Sequence, residues 1–310
     1  MKRLLAIIIG CFFCCCSYAQ EKLNKFFIVD SDKKTAVPSA TITIVRAKLS
    51  ITTEADGIFI IPGDLSGMRD TIIIYAQNYQ QLKLALNNLS TMDTLKLSRF
   101  DVRPMVNNAT FKEDTLLNNF KRKDIGYYAG ISTNTASFNY LQLAQQFDVI
   151  KSGIKLKRIV VNRLSLNGFM TESDYVDVES TKFRIRIYDI DPITSGPGRD
   201  LCDKIIEVNN TDNKQLGISL KRYNITIPNT SFFVAIEWMR DFTNMGYSMI
   251  YNEKLGRDEK LINYRPAIGI SPVRGRKLNI WGLNFERKWN PYTYFSPDWT
   301  DLAIKAIVEY

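Results

Sequence analysis

The residues best suited to chemistry lie in the last third of the chain. Between positions 281 and 299 stand Trp281, Phe285, Trp289, Tyr292, Tyr294, Phe295 and Trp299, the densest aromatic stretch of the sequence. Flat rings with polar handles stack on sugars or grip peptides, and Arg287, Lys288 and Asn290 supply hydrogen-bonding groups beside them. Trp281, Trp289, Tyr292, Tyr294 and Trp299 are therefore the candidate ligand-binding residues, with a glycan or an envelope protein as partner. Large aromatics close sandwich cores equally well, so both readings stand at this point. Asp189 and Asp191, with Asp200 and Asp203 downstream, place carboxylates where Ca²⁺ could be held. Their spacing lacks the regular ligand pattern of a calcium loop, and ordinary turn aspartates are the preferred reading. Glu237, beside Trp238, is one carboxylate of the pair a glycosidase needs, but no second acid is nominated at the required roughly 5 to 10 Å. The solvent side of a strand is the simpler place for it.

The absence of histidine from all 310 residues narrows the chemistry further. It removes His-based zinc sites, Ser-His-Asp triads and Cys-His dyads, so any enzyme here would rest on carboxylates, lysine or a cofactor. No catalytic residue, metal or cofactor is assigned. Cys11, Cys14, Cys15 and Cys16 fall in the N-terminal apolar run, which leaves Cys202 alone and allows no intramolecular disulfide in the mature chain. Cys202 is read as a small buried hydrophobe. The net charge of +9 includes Lys2 and Arg3, and the other cations are scattered, with short clusters at Lys121-Arg122-Lys123, at Arg274, Arg276 and Lys277, and at Arg287-Lys288. Solvated faces explain them, and nucleic acid is not an expected partner.

The elements that would position these residues are strands. Residues 40–45 put Ile42 and Ile44 on one face and Thr41 and Thr43 on the other, the period of a half-buried strand, and Ile72, Ile73 and Ile74 form the apolar run of a central one. The stretch 50–62 carries Asp56-Gly57 between β-branched runs and is expected to be a tight hairpin, with Phe59 as a core anchor. Pro38 breaks the ladder at an edge. About seven such segments between positions 25 and 97 make an all-β sandwich. A linker with a short helix near 115–120 follows. Residues 139–149 fit strand and helix alike, and strand is preferred because another strand follows at 154–162. Residues 182–188 alternate basic with apolar side chains, so one face should meet a core and the other water.

Val29-Asp30, the run from Thr35 through Val37, Pro38 and Ala40 to Ile42, the segment with Thr53, Glu54, Asp56, Gly57 and Phe59, and the Asn78-Tyr79 pair together resemble the carboxypeptidase regulatory-like module, a small transthyretin-like sandwich. Asn78 stands where that family usually has Gly, and Asn tolerates the left-handed backbone such a turn requires. Pro38, Asp56, Gly57, Phe59 and Tyr79 are the motif positions. In zinc carboxypeptidases the module accompanies a catalytic domain, and in many exported Bacteroidota proteins it precedes unrelated partners. A chain without histidine cannot supply the peptidase's zinc site, so the resemblance implies a fold and no activity. The segments 183–188 and 232–238 are similar to an uncharacterised jelly-roll region found behind such modules.

The expected organisation is a signal peptide at 1–19, a seven-stranded transthyretin/Ig-like sandwich at 20–98, a linker at 99–126 and a larger jelly-roll-like sandwich at 127–310. Met1-Lys2-Arg3, an apolar run and Ser17-Tyr18-Ala19 form the n-region, h-region and cleavage site, and the run falls short of the about 20 residues a membrane span needs. Lipidation at Cys11 is the lesser alternative. The sequon-like triplets at Asn88, Asn108, Asn209, Asn224 and Asn229 carry no weight behind a bacterial signal. The chain stops on a core-like strand and shows no pattern of a transmembrane barrel, so periplasm or outer-membrane association is expected, with the cell surface as the alternative. The functional expectation is a non-catalytic exported envelope protein that binds or scaffolds. Its alternatives are a glycan module using the late aromatics and a carboxylate-based glycosidase.

Overall fold

The computed structural model describes residues 24–63, 65, 68–99, 114–130, 139–164, 180–211, 214–240, 244–271 and 277–310. The signal segment 1–19 with Cys11, linker residues 100–113 with Asn108, and Arg274 and Arg276 lie outside them. The fold is all-β. Its first sandwich contains, among the described residues, β1 (Asn24–Asp30), β2 (Thr41–Ile44), β3 (Leu49–Thr52), β4 (Ile58–Ile61), β5 (Thr71–Tyr75), β6 (Leu82–Ala85) and β7 (Thr94–Leu97). These form one sheet in the order β4-β1-β7, with β1 and β7 parallel, and a second in the order β3-β2-β5-β6. Alternate residues Ile28, Ile42, Ile44, Phe59, Ile72 and Ile74 close the core between the two sheets. The Phe26 and Phe59 rings stack at 5.3 Å.

The stretch around Asp56-Gly57 is not the hairpin its sequence suggests. β3 pairs with β2 and β4 pairs with β1, so residues 53–57 carry the chain from one sheet to the other. Gly57 has φ +74°, and a Cβ there would lie 2.6 Å from the Ile28 carbonyl oxygen. Its own carbonyl accepts the Ile28 N–H at 2.9 Å, and Asp56 Oδ1 accepts the Ile58 N–H at 3.0 Å. Gly57 is thus required by close packing against β1 as well as by its backbone angle.

The second sandwich begins before its expected boundary. The helix expected near 115–120 is instead the strand β8 (Asp114–Leu117), followed by a 3₁₀ turn at Arg122–Asp124 and β9 (Tyr127–Ala129). The remaining strands are β10 (Tyr140–Asp148), β11 (Ile154–Asn162), β12 (Ser180–Ile190), β13 (Pro197–Asp200), β14 (Ile206–Thr211), β15 (Gln215–Ser219), β16 (Thr226–Ile227), β17 (Ser231–Trp238), β18 (Met245–Asn252), β19 (Arg257–Tyr264), β20 (Ile268–Ser271), β21 (Ile280–Asn284), β22 (Trp289–Pro291), β23 (Asp301–Leu302) and β24 (Ile304–Glu309). A large sheet runs β13-β12-β17-β10-β21-β22, with β14 also on β12, and faces a sheet ordered β15-β11-β24-β8, with β16 also on β11. β8 completes that second sheet by pairing with β24, which explains why Leu117 is held extended. The ambiguous residues 139–149 form β10, a strand flanked by β17 and β21. β12 and β17 are antiparallel partners, with Phe183 opposite Trp238 and Ile185 opposite Ile236.

The outer face of the large sheet is where the sequence misleads. Arg184 and Arg186 are only 1% and 2% exposed, because the β3-β2-β5-β6 sheet of the first sandwich lies over them. Arg184 Nη1 donates to the Ser39 carbonyl oxygen at 3.1 Å and to Thr41 Oγ1 at 3.4 Å. Thr41 and Thr43, expected on a wet face, are buried in the same seam. An alternation of charged and apolar residues marks two different faces, but it does not say whether the charged one meets water or a second polar layer.

Candidate functional site

The mouth of this seam opens into a cleft of about 820 Å³, walled by both sandwiches. The first contributes Tyr75 at the end of β5 and Tyr79 in the following turn; the second contributes Tyr188, Asp200, Arg287 and Trp289. Tyr75 reaches the cleft because β5 alternates: Ile72 and Ile74 point into the first core, leaving Ile73 and Tyr75 on the seam side. Tyr79 follows Asn78, whose φ of +67° is the left-handed conformation expected of it. The Asn78 side chain donates to the Asp203 carbonyl oxygen at 3.0 Å and ties that turn to the second sandwich. Tyr79 is anchored from behind, since its hydroxyl donates to Asp30 Oδ2 at 2.9 Å and its ring lies under Arg99. Asp30 also accepts the Asp32 and Lys33 amides and the Arg99 Nε. The Lys33 amide and Arg99 lead the interactions that hold its carboxyl well below the usual range.

A buried charge network reaches the cleft wall at Asp200 and Gln77. Arg186 donates from Nε to Glu237 Oε2 at 2.9 Å, and its Nη1 lies 3.4 Å from Asp200 Oδ2. The same Nη1 donates to Gln77 of the first sandwich, and the Arg186 guanidinium lies 5.3 Å from the Tyr75 ring centroid. Burial opposes ionisation of Glu237, but Arg186, Arg184 and Arg287 outweigh it and the carboxyl is held below its ordinary range. Asp200 goes the other way. Burial pushes it up to about 6, against Arg186 and the Cys202 amide that it accepts at 3.0 Å. Glu237 is 3% exposed and locked by an arginine, so it occupies neither a solvent face nor the cleft wall. Breaking such a buried pair from one side costs about 3–5 kcal/mol, which marks it as structural. Burial likewise raises the Tyr188 hydroxyl, which donates to Gln142 Oε1 at 2.9 Å.

The five candidate aromatics are not one platform. Trp289 lines the cleft and meets Tyr188 edge-on at 5.4 Å between ring centroids. Trp281 lies half-buried on the same sheet face, against Phe233 and so close to Gly196 that a Cβ there would come 2.7 Å from its ring. Tyr292 is 2% exposed and packs in the main core against Tyr140, so it is not available to a ligand. Trp299 stacks edge-on with Tyr127 at 5.1 Å, and Tyr294, 55% exposed, leans on Phe295; neither lines the cleft. Sequence reasoning missed Tyr75 and Tyr188 as site residues. Both sit in strands whose alternation, followed one residue further, places them on the face shared with Arg186.

The aspartates are turn residues. Asp191 Oδ1 accepts the Ile193 and Thr194 amides, and Asp189 Oδ1 accepts the Ile190 amide and the Asn229 side chain. Among the described residues no three acidic or thiol groups stand together as a metal site. Cys202 is free and buried, and burial pushes its thiol up to about 11.

No protein-family model matches the chain, and no curated protein matches it. Among solved structures, it is similar to the cysteine protease and lectin-like domains of Cwp84, a surface layer associated protein of Clostridium difficile. That match has 16% identity, covers 62% of this chain and 37% of that one, and has a TM-score of 0.33. A second structure, the clostridial cysteine protease Cwp84 after propeptide cleavage, matches at 10% identity over 93% of this chain and 71% of that one, with a TM-score of 0.34. Likenesses this distant carry no functional argument. Among the described residues no helix is long and apolar enough to cross a membrane.

Proposed function

We propose that the chain is an exported, non-catalytic binding protein of the cell envelope, and that its ligand is a saccharide held in the cleft between the two sandwiches. The observation that carries this is the composition of that cleft: the half-buried Trp289 and Tyr75 rings, with the buried Tyr188 packed against Trp289, stand beside the Arg287 and Asp200 side chains in a space of about 820 Å³. Carbohydrate ligands need such a pairing of ring faces with directional polar contacts. The non-catalytic reading is supported by Glu237, whose carboxylate is committed to Arg186 behind the wall. Export is supported by the pattern of residues 1–19, and seven strands in the first sandwich suit the carboxypeptidase regulatory-like reading.

A glycan array probed with the mature chain tests the proposal. Saccharide binding is expected, and Trp289→Ala should weaken it about tenfold or more, equivalent to roughly 1.4 kcal/mol, with little change in melting temperature. A large loss of stability on that substitution would instead mark Trp289 as core.

A further inference from the structure

The charge of one cleft residue narrows the ligand further, given that the cleft is the binding site. Arg287 sits in the tight turn between β21 and β22 at φ +59°. The turn is pinned: the Arg287 amide donates to the Asn284 carbonyl at 2.9 Å, the Asn284 amide to the Lys288 carbonyl at 3.1 Å, and the Lys288 amide to Asn284 Oδ1 at 2.9 Å. From there the guanidinium carbon reaches across the seam to 4.1 Å from the Tyr75 ring centroid. Its placement therefore depends on both sandwiches.

Other arginines of the seam have carboxylate partners. Arg186 pairs with Glu237 and Arg184 with Glu207. Arg287 has no carboxylate at ion-pair distance among the described residues, and its Nη1 is buried without a hydrogen-bond acceptor. The other charged residues lining the cleft are Arg199, Asp200 and Asp203. With Arg287 these make two cations and two carboxylates; Asp200 is engaged by Arg186, whereas Arg287 has no ion-pair partner among the described residues to compete with a ligand carboxylate. Nη1 itself is closed to solvent, so a ligand oxygen would meet the rest of the guanidinium of this half-buried residue. The guanidinium fork fits a carboxylate with two parallel hydrogen bonds, which a neutral hydroxyl cannot reproduce. Trp289, two residues on, lines the same cleft and offers a ring face beside that charge.

We infer that the cleft is selective for acidic saccharides, with Arg287 receiving the sugar carboxylate and Trp289 its ring. Paired probes test this by calorimetry on the mature full-length chain: galacturonate and glucuronate oligosaccharides and a sialylated glycan, each against its neutral counterpart. The acidic member of a pair should bind about tenfold or more tightly. Arg287→Gln should abolish that preference, read as the ratio of acidic to neutral affinity within the variant, and Arg287→Lys should restore it only in part. The inference is overturned if neutral and acidic members bind equally, or if Arg287→Gln keeps the preference. If neutral saccharides bind in a Trp289-dependent way without any acidic preference, only the selectivity fails. If no saccharide binds at all, the cleft reading and the selectivity fail together.

Discussion

At Asp200 burial wins over an adjacent cation, and at Glu237 the cations win, although both carboxyls serve the same arginine. Glu237 accepts Arg186 Nε at 2.9 Å, whereas Asp200 lies 3.4 Å from its Nη1. The closer contact, with Arg184 and Arg287 also near, overcomes desolvation for Glu237 only. The consequence for stability has a definite sign. Asp200 is raised from an ordinary 3.8 to about 6, so the fold favours its protonated form. Its contribution is fully present below about pH 4 and lost as pH rises through about 6. Asp200→Asn keeps an acceptor for the Cys202 amide and should therefore raise the unfolding free energy at pH 7 to 8 by up to about 3 kcal/mol, with little change at pH 4. Urea unfolding at the two pH values measures it; a loss of stability at pH 8 would show that the ionised carboxylate is needed by Arg186.

At the scale of elements, the segment around Gly57 shows how far sequence patterns reach. Asp-Gly between β-branched runs correctly marks a left-handed position, and Phe59 correctly marks a core anchor. The strands on either side were legible too, as was the extent of β11. Their partners were not, because pairing depends on which edge is vacant after collapse, and β1 captured β4 through the Ile28 and Gly57 contacts. The same limit hid β8, whose few residues gain extended structure only by completing the β24 edge. Gly57→Ala should cost more than the about 1 kcal/mol of a left-handed residue alone, since its Cβ would meet the Ile28 carbonyl at 2.6 Å. Thermal unfolding measures this. A cost under that figure would mean the crossover relaxes freely.

In the whole molecule, two sandwiches with separate apolar cores meet across a seam rich in arginine, carboxylate and tyrosine. Of the candidate site, Trp289 and the supporting Arg287 were legible as aromatic and basic residues near the C-terminus. Tyr75 was not, since it lies more than 200 positions earlier and only the docking of the two sandwiches brings it beneath Arg287. The same docking turned the basic face of β12 from an expected solvent surface into the floor behind a cleft. A site assembled this way makes one demand that an aromatic platform within the second sandwich does not: residues from both sandwiches must matter to the same ligand. The most direct measurement is calorimetric titration of one array-identified saccharide into three variants of the mature chain. Tyr75→Ala and Trp289→Ala should each weaken binding about tenfold or more, while Tyr294→Ala, exposed and outside the cleft, should bind as the parent does. Loss of binding in Tyr294→Ala with Tyr75→Ala unchanged would contradict a ligand site at the seam.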